Sequence, residues 1–266
     1  MAAGAATKEN ATGTQSVERA LSVLSCFTQE RPQLRISELV ELTGLGQSTV
    51  SRLVGAMLGL GFLSLDERSG LYTAGPQVVT LAAVALNQSP VHQAGRQLAQ
   101  SLAAELGLGV NLAERRGTNL FYLAHFEGAD APRSATMIGR GGPLHATGLG
   151  KALLSDLSRE EVAEQLGPGP FPQYTGNTLT TLDELVADLD SVRSRGYAVE
   201  LEELALRRAC VAAPIRDRSG AIVAALSISG PMSAIRLPER TEALAVRAIE
   251  RADQISSDLG FHASRR

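Results

Sequence analysis

The stretch 203-ELALRRACVAAPIRDRSGAIVAALSISG-230 decides the fold of the larger part of this chain. Two apolar runs flank the charged turn RDRSG, which is short enough to make them antiparallel neighbours in a β-hairpin. Side chains alternate across a strand, so Arg208 and Cys210 are expected on one face, beside two serines of the returning strand. These serines are Ser227 and Ser229. Ordinary cores group polar side chains this way only when they bind each other or a ligand, and the alternative is a solvated face.

The hairpin lies within a predicted α+β sandwich. Helical or alternating spacing predicts helices over 91–106, 159–165, 181–195 and 236–259, and strands over 109–115, 119–126, 134–137, 196–203, 208–217 and 221–229. Antiparallel strands mixed with flanking helices are typical of this fold class.

The N-terminal quarter has a different layout. Helices are predicted over 15–28, with Ser16 as N-cap, and over 36–43 and 47–59, the last two joined by the tight turn TGLG. Short strands over 62–65 and 71–73 flank the turn DERSG. This order is the layout of a winged helix-turn-helix, in which the third helix enters the major groove. The alternative is a three-helix bundle with a hairpin that does not bind DNA.

Polar residues on this module are the candidate DNA contacts. They are Arg19, Gln47, Ser48, Thr49, Ser51, Arg52 and Arg68. Base edges require hydrogen-bond donors and acceptors from the start of a recognition helix, and phosphates require hydroxyls and arginines. Five basic and six acidic residues give residues 15–70 a net charge of −1, which is not the basic footprint usual for DNA-binding modules. Binding would therefore depend on local arginines and on dimerisation, with marked salt dependence.

Composition sets the remaining boundaries. The 266 residues are 44% apolar and 20% charged with a net charge of −3, which predicts a soluble globular protein of one or two domains. A disordered tail is expected over 1–13, the DNA-binding domain over 14–75, a linker helix over 76–90 and a further domain over 91–262. No membrane span, signal peptide, metal motif or cofactor motif is expected, and two distant cysteines predict no disulfide framework. These features predict a cytoplasmic protein.

Two further features bear on chemistry. Glycines in Pro143–Leu154 predict a turn before a helix, where the backbone N–H groups of Gly148, Leu149 and Gly150 would be free to hold an anion, unless the segment is an ordinary tight turn. Cys210 would be a nucleophile only with a base in reach, and the candidate partners are His125, His145, Glu200 and Glu203. An apolar strand raises the pKa of a thiol, so a buried cysteine is the favoured interpretation and catalysis the alternative.

Four blocks together resemble the IclR family of transcriptional regulators. They are QSVERALSVLSCF, STVSRLVGAMLGLGFL, GPLHATGLGKALL and RGYAVELEELALRRACVAAPIRDRSGAIVAALSISGP, in the family's order and spacing from about Ser16 to Leu259. The resemblance implies a winged helix-turn-helix, a linker helix and an effector domain of GAF-like α+β fold with an antiparallel sheet. It also implies operator DNA, a small metabolite effector and a homodimer or dimer of dimers as partners.

The resemblance also implies particular site residues. Effector contacts fall on Gly148, Leu149, Glu200, Cys210, Ser227 and Ser229, and DNA contacts fall on Gln47, Ser48, Thr49, Ser51 and Arg52. Two positions depart from the family pattern, since Arg207 stands where glycine is frequent and Arg208 where an apolar residue is commoner. An inward Arg208 would select an anionic effector, whereas strand twist would direct it to solvent or to Glu203.

Three functions therefore compete. The leading one is a ligand-responsive DNA-binding regulator, with repression as the family's usual sign, and it is not an enzyme. The second is a cysteine-dependent enzyme that uses Cys210, with an accessory helical domain. The third is a sensor or adaptor module that has lost DNA binding.

Overall fold

The structure is a computed structural model that describes residues 4–131 and 137–262, with side chains from residue 14 onward. The chain divides into two compact units, Met1–Ala85 and Leu86–Arg266. The strand predicted over Ser134–Met137 falls outside the described residues except for Met137, which is not in a strand. None of the helices in the described part of the chain is long and apolar enough to cross a membrane.

The first unit is a winged helix-turn-helix, as predicted. Its elements are α1 Gly4–Leu24, β1 Gln33–Leu34, α2 Ile36–Thr43, α3 Gln47–Gly59, β2 Leu63–Asp66, β3 Leu71–Ala74 and the start of α4 Pro76–Gln88. The three strands form an antiparallel sheet in the order β1-β3-β2. Its core consists of Val23, Leu34, Leu39, Val50, Val54, Met57 and Leu63. Apolar residues at helical spacing on α3 thus pack inward and leave the polar face of that helix exposed.

The start of the first helix differs from the prediction. Helix α1 begins at Gly4, so Ser16 lies inside it and is not its N-cap, and residues 4–13 are helical where a disordered tail was expected. Alanine has the highest helix propensity, and the segment before Ser16 contains several alanines and no proline, which favours a helix that continues through Gly13.

The second unit is built on one six-stranded antiparallel sheet. Its elements are α5 Pro90–Leu106, β4 Gly109–Arg116, β5 Asn119–Phe126, β6 Gly141–Pro143, α6 Gly148–Leu154, α7 Arg159–Leu166, α8 Leu182–Arg195, β7 Ala198–Leu201, β8 Arg208–Arg216, β9 Ile222–Pro231, α9 Met232–Ile235 and α10 Thr241–Asp258. The strand order is β6-β5-β4-β9-β8-β7. The hairpin predicted from the opening stretch is the β8–β9 pair at the centre of this sheet.

Each face of the sheet covers an apolar core. One core includes Leu102 of α5 and Ala248 of α10 with Val211 and Ile228 of the central hairpin. The other includes Leu153 of α6 and Leu185 of α8, together with alanines on the opposite side of the same strands. The predicted α+β architecture is confirmed, because both faces of the sheet are packed by helices.

Three elements of this unit were not predicted correctly, and the short helix α9 is one of them. Strand β6 was missed, because three residues rich in glycine carry no alternating pattern. The last helix begins at Thr241 and not at Arg236, whose backbone has φ 55° at the end of α9. Pro238 lacks a backbone N–H and restricts the residue before it, so a continuous helix across this point is disfavoured.

Candidate effector cavity and DNA-binding helix

Helix α3 presents the predicted DNA-contacting residues. Gln47, Ser48, Ser51 and Arg52 are exposed, and Thr49 is half-buried. The N-terminal turn of the helix therefore displays amide, hydroxyl and guanidinium groups to solvent, which is the chemistry that base edges and phosphates bind.

The turn between β2 and β3 presents Arg68. Asp66 shapes this turn, since its carboxylate accepts hydrogen bonds from the Arg68 backbone N–H at 3.0 Å and from the Ser69 hydroxyl at 2.7 Å. These bonds hold the pKa of Asp66 below its usual value, with the Ser69 hydroxyl as the largest cause. Arg68 is exposed, and Arg19 is half-buried on α1.

A cavity of about 260 Å³ lies in the second unit over strands β4, β5 and β7–β9. Of the predicted effector residues, Leu149, Glu200, Arg208, Cys210, Ser227 and Ser229 line it. Cross-strand pairing brings several together, since Cys210 is paired with Glu200 on one side and with Ser229 on the other. Glu200, Cys210 and Ser227 are buried, so the alternative of a fully solvated face is wrong.

Gly148 does not line the cavity but lies behind Cys210. A Cβ atom at Gly148 would be 2.6 Å from the Cys210 Sγ, so only glycine fits here without a shift. One of the N–H groups expected to be free at this turn is used within the protein. The Gly150 N–H donates to the Thr147 Oγ1 at 3.0 Å. The three N–H groups are therefore not all free, as an anion held by all of them would require.

Eight further residues line the cavity, and of these only His125 was named from the sequence, as a possible base for Cys210. They are Asn111, Tyr122, His125, Met137, Thr147, Leu204, Ala205 and Ala209. A bulge in the β4–β5 pairing between Leu112 and Ala113 changes which β5 side chains face the cavity, so simple alternation did not locate both Tyr122 and His125. The polar residues Asn111 and His125 within otherwise apolar strands were the available signal.

Two carboxyl groups stand beside the cavity in different surroundings. Burial raises the pKa of Glu200, opposed by backbone N–H groups of Leu204 and Glu203 that donate to its Oε1. Burial also raises the pKa of Glu203, opposed by Lys151, whose ammonium lies 2.6 Å from the Glu203 Oε1. Lys151 is 1% exposed and also lies 3.0 Å from the Asp188 carboxylate. This buried cluster joins α6 and α8 to the segment that carries Leu204 into the cavity wall.

Cys210 does not have the surroundings of a nucleophile. Burial raises the pKa of its thiol well above the usual value, and nearby Glu200 raises it further. The candidate base His145 packs against Phe171 and hydrogen-bonds the Pro172 carbonyl at 2.9 Å. The other histidine, His125, hydrogen-bonds Asn111. The thiol therefore stays protonated and serves as part of the cavity wall.

Arg208 occupies the rim of the cavity. It lines the cavity and is an exposed residue, and no described residue accepts a hydrogen bond from its guanidinium. Burial raises the pKa of the Tyr122 phenol to about 12. The Arg208 guanidinium lies close enough to lower this pKa, but its effect is smaller than that of burial. The protonated phenol and the guanidinium are thus two hydrogen-bond donors at this cavity.

Arg207 has a backbone conformation that favours glycine. Its φ is 64°, in the left-handed region, and its side chain is exposed. Glycine would adopt this conformation without a Cβ clash.

Known proteins are similar to this chain in sequence and in fold. The sequence-family model of the IclR helix-turn-helix domain matches residues 16–67. The family model described as bacterial transcriptional regulator IclR C-terminal matches residues 83–257. The HTH-type transcriptional regulator KipR of Bacillus subtilis (strain 168) is 30% identical over 250 residues, covering 93% of this chain and 98% of KipR. The HTH-type transcriptional repressor AllR of Escherichia coli (strain K12) is 31% identical over 252 residues, covering 94% and 92%. The crystal structure of an IclR transcriptional regulator from Alicyclobacillus acidocaldarius has a TM-score of 0.81 at 26% identity, covering 92% of this chain and 99% of that chain.

Proposed function

Because this chain belongs to the IclR family of transcriptional regulators, we propose that it binds operator DNA through α3 and responds to a small anionic metabolite. The observation that carries the effector part is the buried cavity with six of the residues expected for it. We propose repression as the sign of regulation, as in the name of the relative AllR. A protein that binds operator DNA acts where the chromosome is, which agrees with the expected cytoplasmic location.

The exposed start of α3 supports the DNA-binding part of the proposal. An Arg52→Ala protein is expected to bind DNA from the promoter region upstream of its own gene more weakly than wild type. If Arg52 contacts a phosphate, the slope of log K against log salt should become shallower by about 0.9. Fluorescence anisotropy at several salt concentrations measures both quantities. Arg31→Ala is the matched control, because Arg31 is an exposed arginine outside α3 and the wing.

Equal binding by wild type and Arg52→Ala would contradict the assigned DNA face. Absence of binding by wild type itself would favour the third function, a sensor or adaptor without DNA binding. The net charge of −1 over residues 15–70 is the observation that keeps this alternative open to test.

The apolar surface of α4 supports a homodimer or dimer of dimers. Val79, Leu81 and Val84 are 70%, 49% and 48% exposed, and α4 has no buried residue. In a monomer these apolar side chains stay in contact with water, whereas packing against α4 of a second copy would bury them. Light scattering after size exclusion should give at least a dimer for wild type and a smaller species for Val79→Glu. A monomeric wild type would contradict this part of the proposal.

The effector cavity should bind a small carboxylate. Arg208 and Tyr122 provide donors at the cavity, and a bidentate arginine favours a carboxylate over a neutral ligand. A thermal-shift screen of small carboxylates is expected to give a hit that raises the melting temperature, and Arg208→Ala should weaken that ligand's binding. Undiminished affinity of Arg208→Ala would remove Arg208 from the site. A coupling free energy of about 1–3 kcal/mol between effector binding and operator binding would be sufficient for regulation.

The alternative of a cysteine-dependent enzyme has no support from the family or from the site. The chain's relatives KipR and AllR are named transcriptional regulators, and the Cys210 thiol is buried and protonated. Slow alkylation of Cys210 in the folded protein, compared with the unfolded protein, is the expected result. Fast alkylation together with loss of a turnover activity would reverse this conclusion.

A further inference from the structure

A chain of hydrogen bonds leads from the edge of the cavity to its two serines. The Asn111 Nδ2 lies 3.1 Å from the Ser227 Oγ and 3.1 Å from the Ser229 Oγ. The Asn111 Oδ1 lies 2.7 Å from the His125 Nδ1, and the His125 Nε2 lies 3.4 Å from the Glu127 Oε1. Asn111 and Ser227 are 5% and 1% exposed, so their polar atoms depend on one another and not on bulk water.

The donors and acceptors along this chain are constrained. The two protons of the Asn111 amide nitrogen are both used on the serine oxygens, so each serine hydroxyl accepts a hydrogen bond. The Asn111 Oδ1 can only accept, so the His125 Nδ1 carries a proton and donates it. No described residue accepts a hydrogen bond from either serine hydroxyl, and both serines line the cavity. Their protons are therefore directed to whatever occupies the cavity.

We propose that His125 and Asn111 are a positioning pair that makes Ser227 and Ser229 hydrogen-bond donors toward the effector. The effector then presents an oxygen acceptor, a carboxylate or a carbonyl, to the serine end of the cavity. This inference rests on the proposed function, because it assumes that the cavity holds the effector. It assigns to two residues of the cavity lining a role that they exert through the serines.

His125 decides the direction of the hydrogen bonds between Asn111 and the two serines, as the opposite arrangement shows. If the atom facing the Asn111 side chain were an acceptor, the amide would turn so that its nitrogen donated to that atom. The amide oxygen would then accept the two serine protons, and the serines would offer only lone pairs to the cavity. One hydrogen-bonding atom at residue 125 thus determines whether the site binds an acceptor or a donor.

The first test needs no ligand. The chain has four histidines, so the ¹⁵N signals of His125 can be assigned by comparing wild type with His125→Asn in histidine-labelled protein. The expected result is a protonated Nδ1 in the folded protein. An unprotonated Nδ1 would overturn the proposal.

The second test replaces the hydrogen-bond donor at residue 125 with an acceptor, using two side chains of nearly equal shape. Asparagine at residue 125 keeps a donor where the Nδ1 stands, and aspartate replaces it with an acceptor. In calorimetric titrations with benzoate and benzyl alcohol, His125→Asn should keep the wild-type preference for benzoate. His125→Asp should lose about 10- to 100-fold in that preference, the range expected when a hydrogen bond to a charged group is lost.

A control separates the change from donor to acceptor at residue 125 from the negative charge that aspartate adds. Ala205→Asp adds the same negative charge at another position of the cavity wall. Both aspartate variants should weaken benzoate binding, but only His125→Asp should strengthen the binding of benzyl alcohol, whose hydroxyl donates. Identical responses of the two variants would overturn the positioning role. Failure of every carboxylate to stabilise wild type would instead count against the proposed effector class, and the histidine signals would still decide this inference.

Discussion

Replacement of Gly148 by alanine tests how closely α6 is packed on the cavity wall. The added Cβ atom would lie 2.6 Å from the Cys210 Sγ and 3.5 Å from the Ala212 Cβ. Favourable non-bonded contacts lie at about 3.5–4.0 Å, so α6 and β8 would have to separate by roughly 1 Å at this point. Insertion of a methyl group into a packed core costs about 1–3 kcal/mol, which is the destabilisation expected for Gly148→Ala.

Thermal unfolding followed by circular dichroism measures this cost. For a unit of this size, each kcal/mol corresponds to about 2–4 °C, so the melting temperature should fall by roughly 2–12 °C. The matched control is Gly176→Ala, because a Cβ atom at Gly176 would meet nothing within 4 Å. That variant should unfold at the temperature of wild type.

A second substitution shows whether the sulfur causes the clash. Cys210→Ala removes the Sγ atom, so Gly148→Ala/Cys210→Ala should be more stable than the sum of the two single effects predicts, by at least about 1 kcal/mol. Additive single effects, or a Gly148→Ala protein as stable as wild type, would refute the packing argument.

Three further predictions concern charge and backbone in the same unit. Lys151→Met should lower the unfolding free energy in urea by roughly 3–5 kcal/mol, because it leaves buried Glu203 without its cation, and Glu203→Gln in that background should restore part of the loss. Burial raises the folded-state pKa of Glu200, so the folded protein binds this proton more tightly than the unfolded chain does. The stability of wild type relative to Glu200→Gln should therefore fall as pH rises from about 4.3 through the raised value, and a pH-independent difference would contradict this. Arg207→Gly should leave the free energy of unfolding unchanged or raise it by up to about 1 kcal/mol, since φ is 64° there, whereas Arg208→Gly within β8 should lower it.

Local patterns were sufficient for most of the elements. The spacing of apolar residues predicted α2 and α3 at their observed bounds, because each of these helices buries one stripe on a small core. Alternation over the opening stretch predicted β8 and β9, and it predicted that Cys210 and Ser229 share a face. These features depend on neighbours a few residues apart or on a short turn, so the sequence carries them directly.

The resemblance to a family supplied what local patterns did not. Leu149 was placed with Cys210 because the blocks that contain them occur in the family's order, and the structure brings both to one cavity. The same approach included Gly148, which the structure places behind the cavity wall and not on it.

The sequence by itself determined most of the elements and the faces of the hairpin strands, and only the tertiary structure decided the hydrogen-bonding character of the cavity. Asn111 meets Ser227 across 116 positions of the chain, and Lys151 meets Glu203 across 52. The bulge after Leu112 helps to decide which β5 side chains reach the cavity. Periodicity reports which side of an element is buried, but the donor that satisfies a buried acceptor is chosen by sheet order and helix packing, which bring distant residues within hydrogen-bond distance.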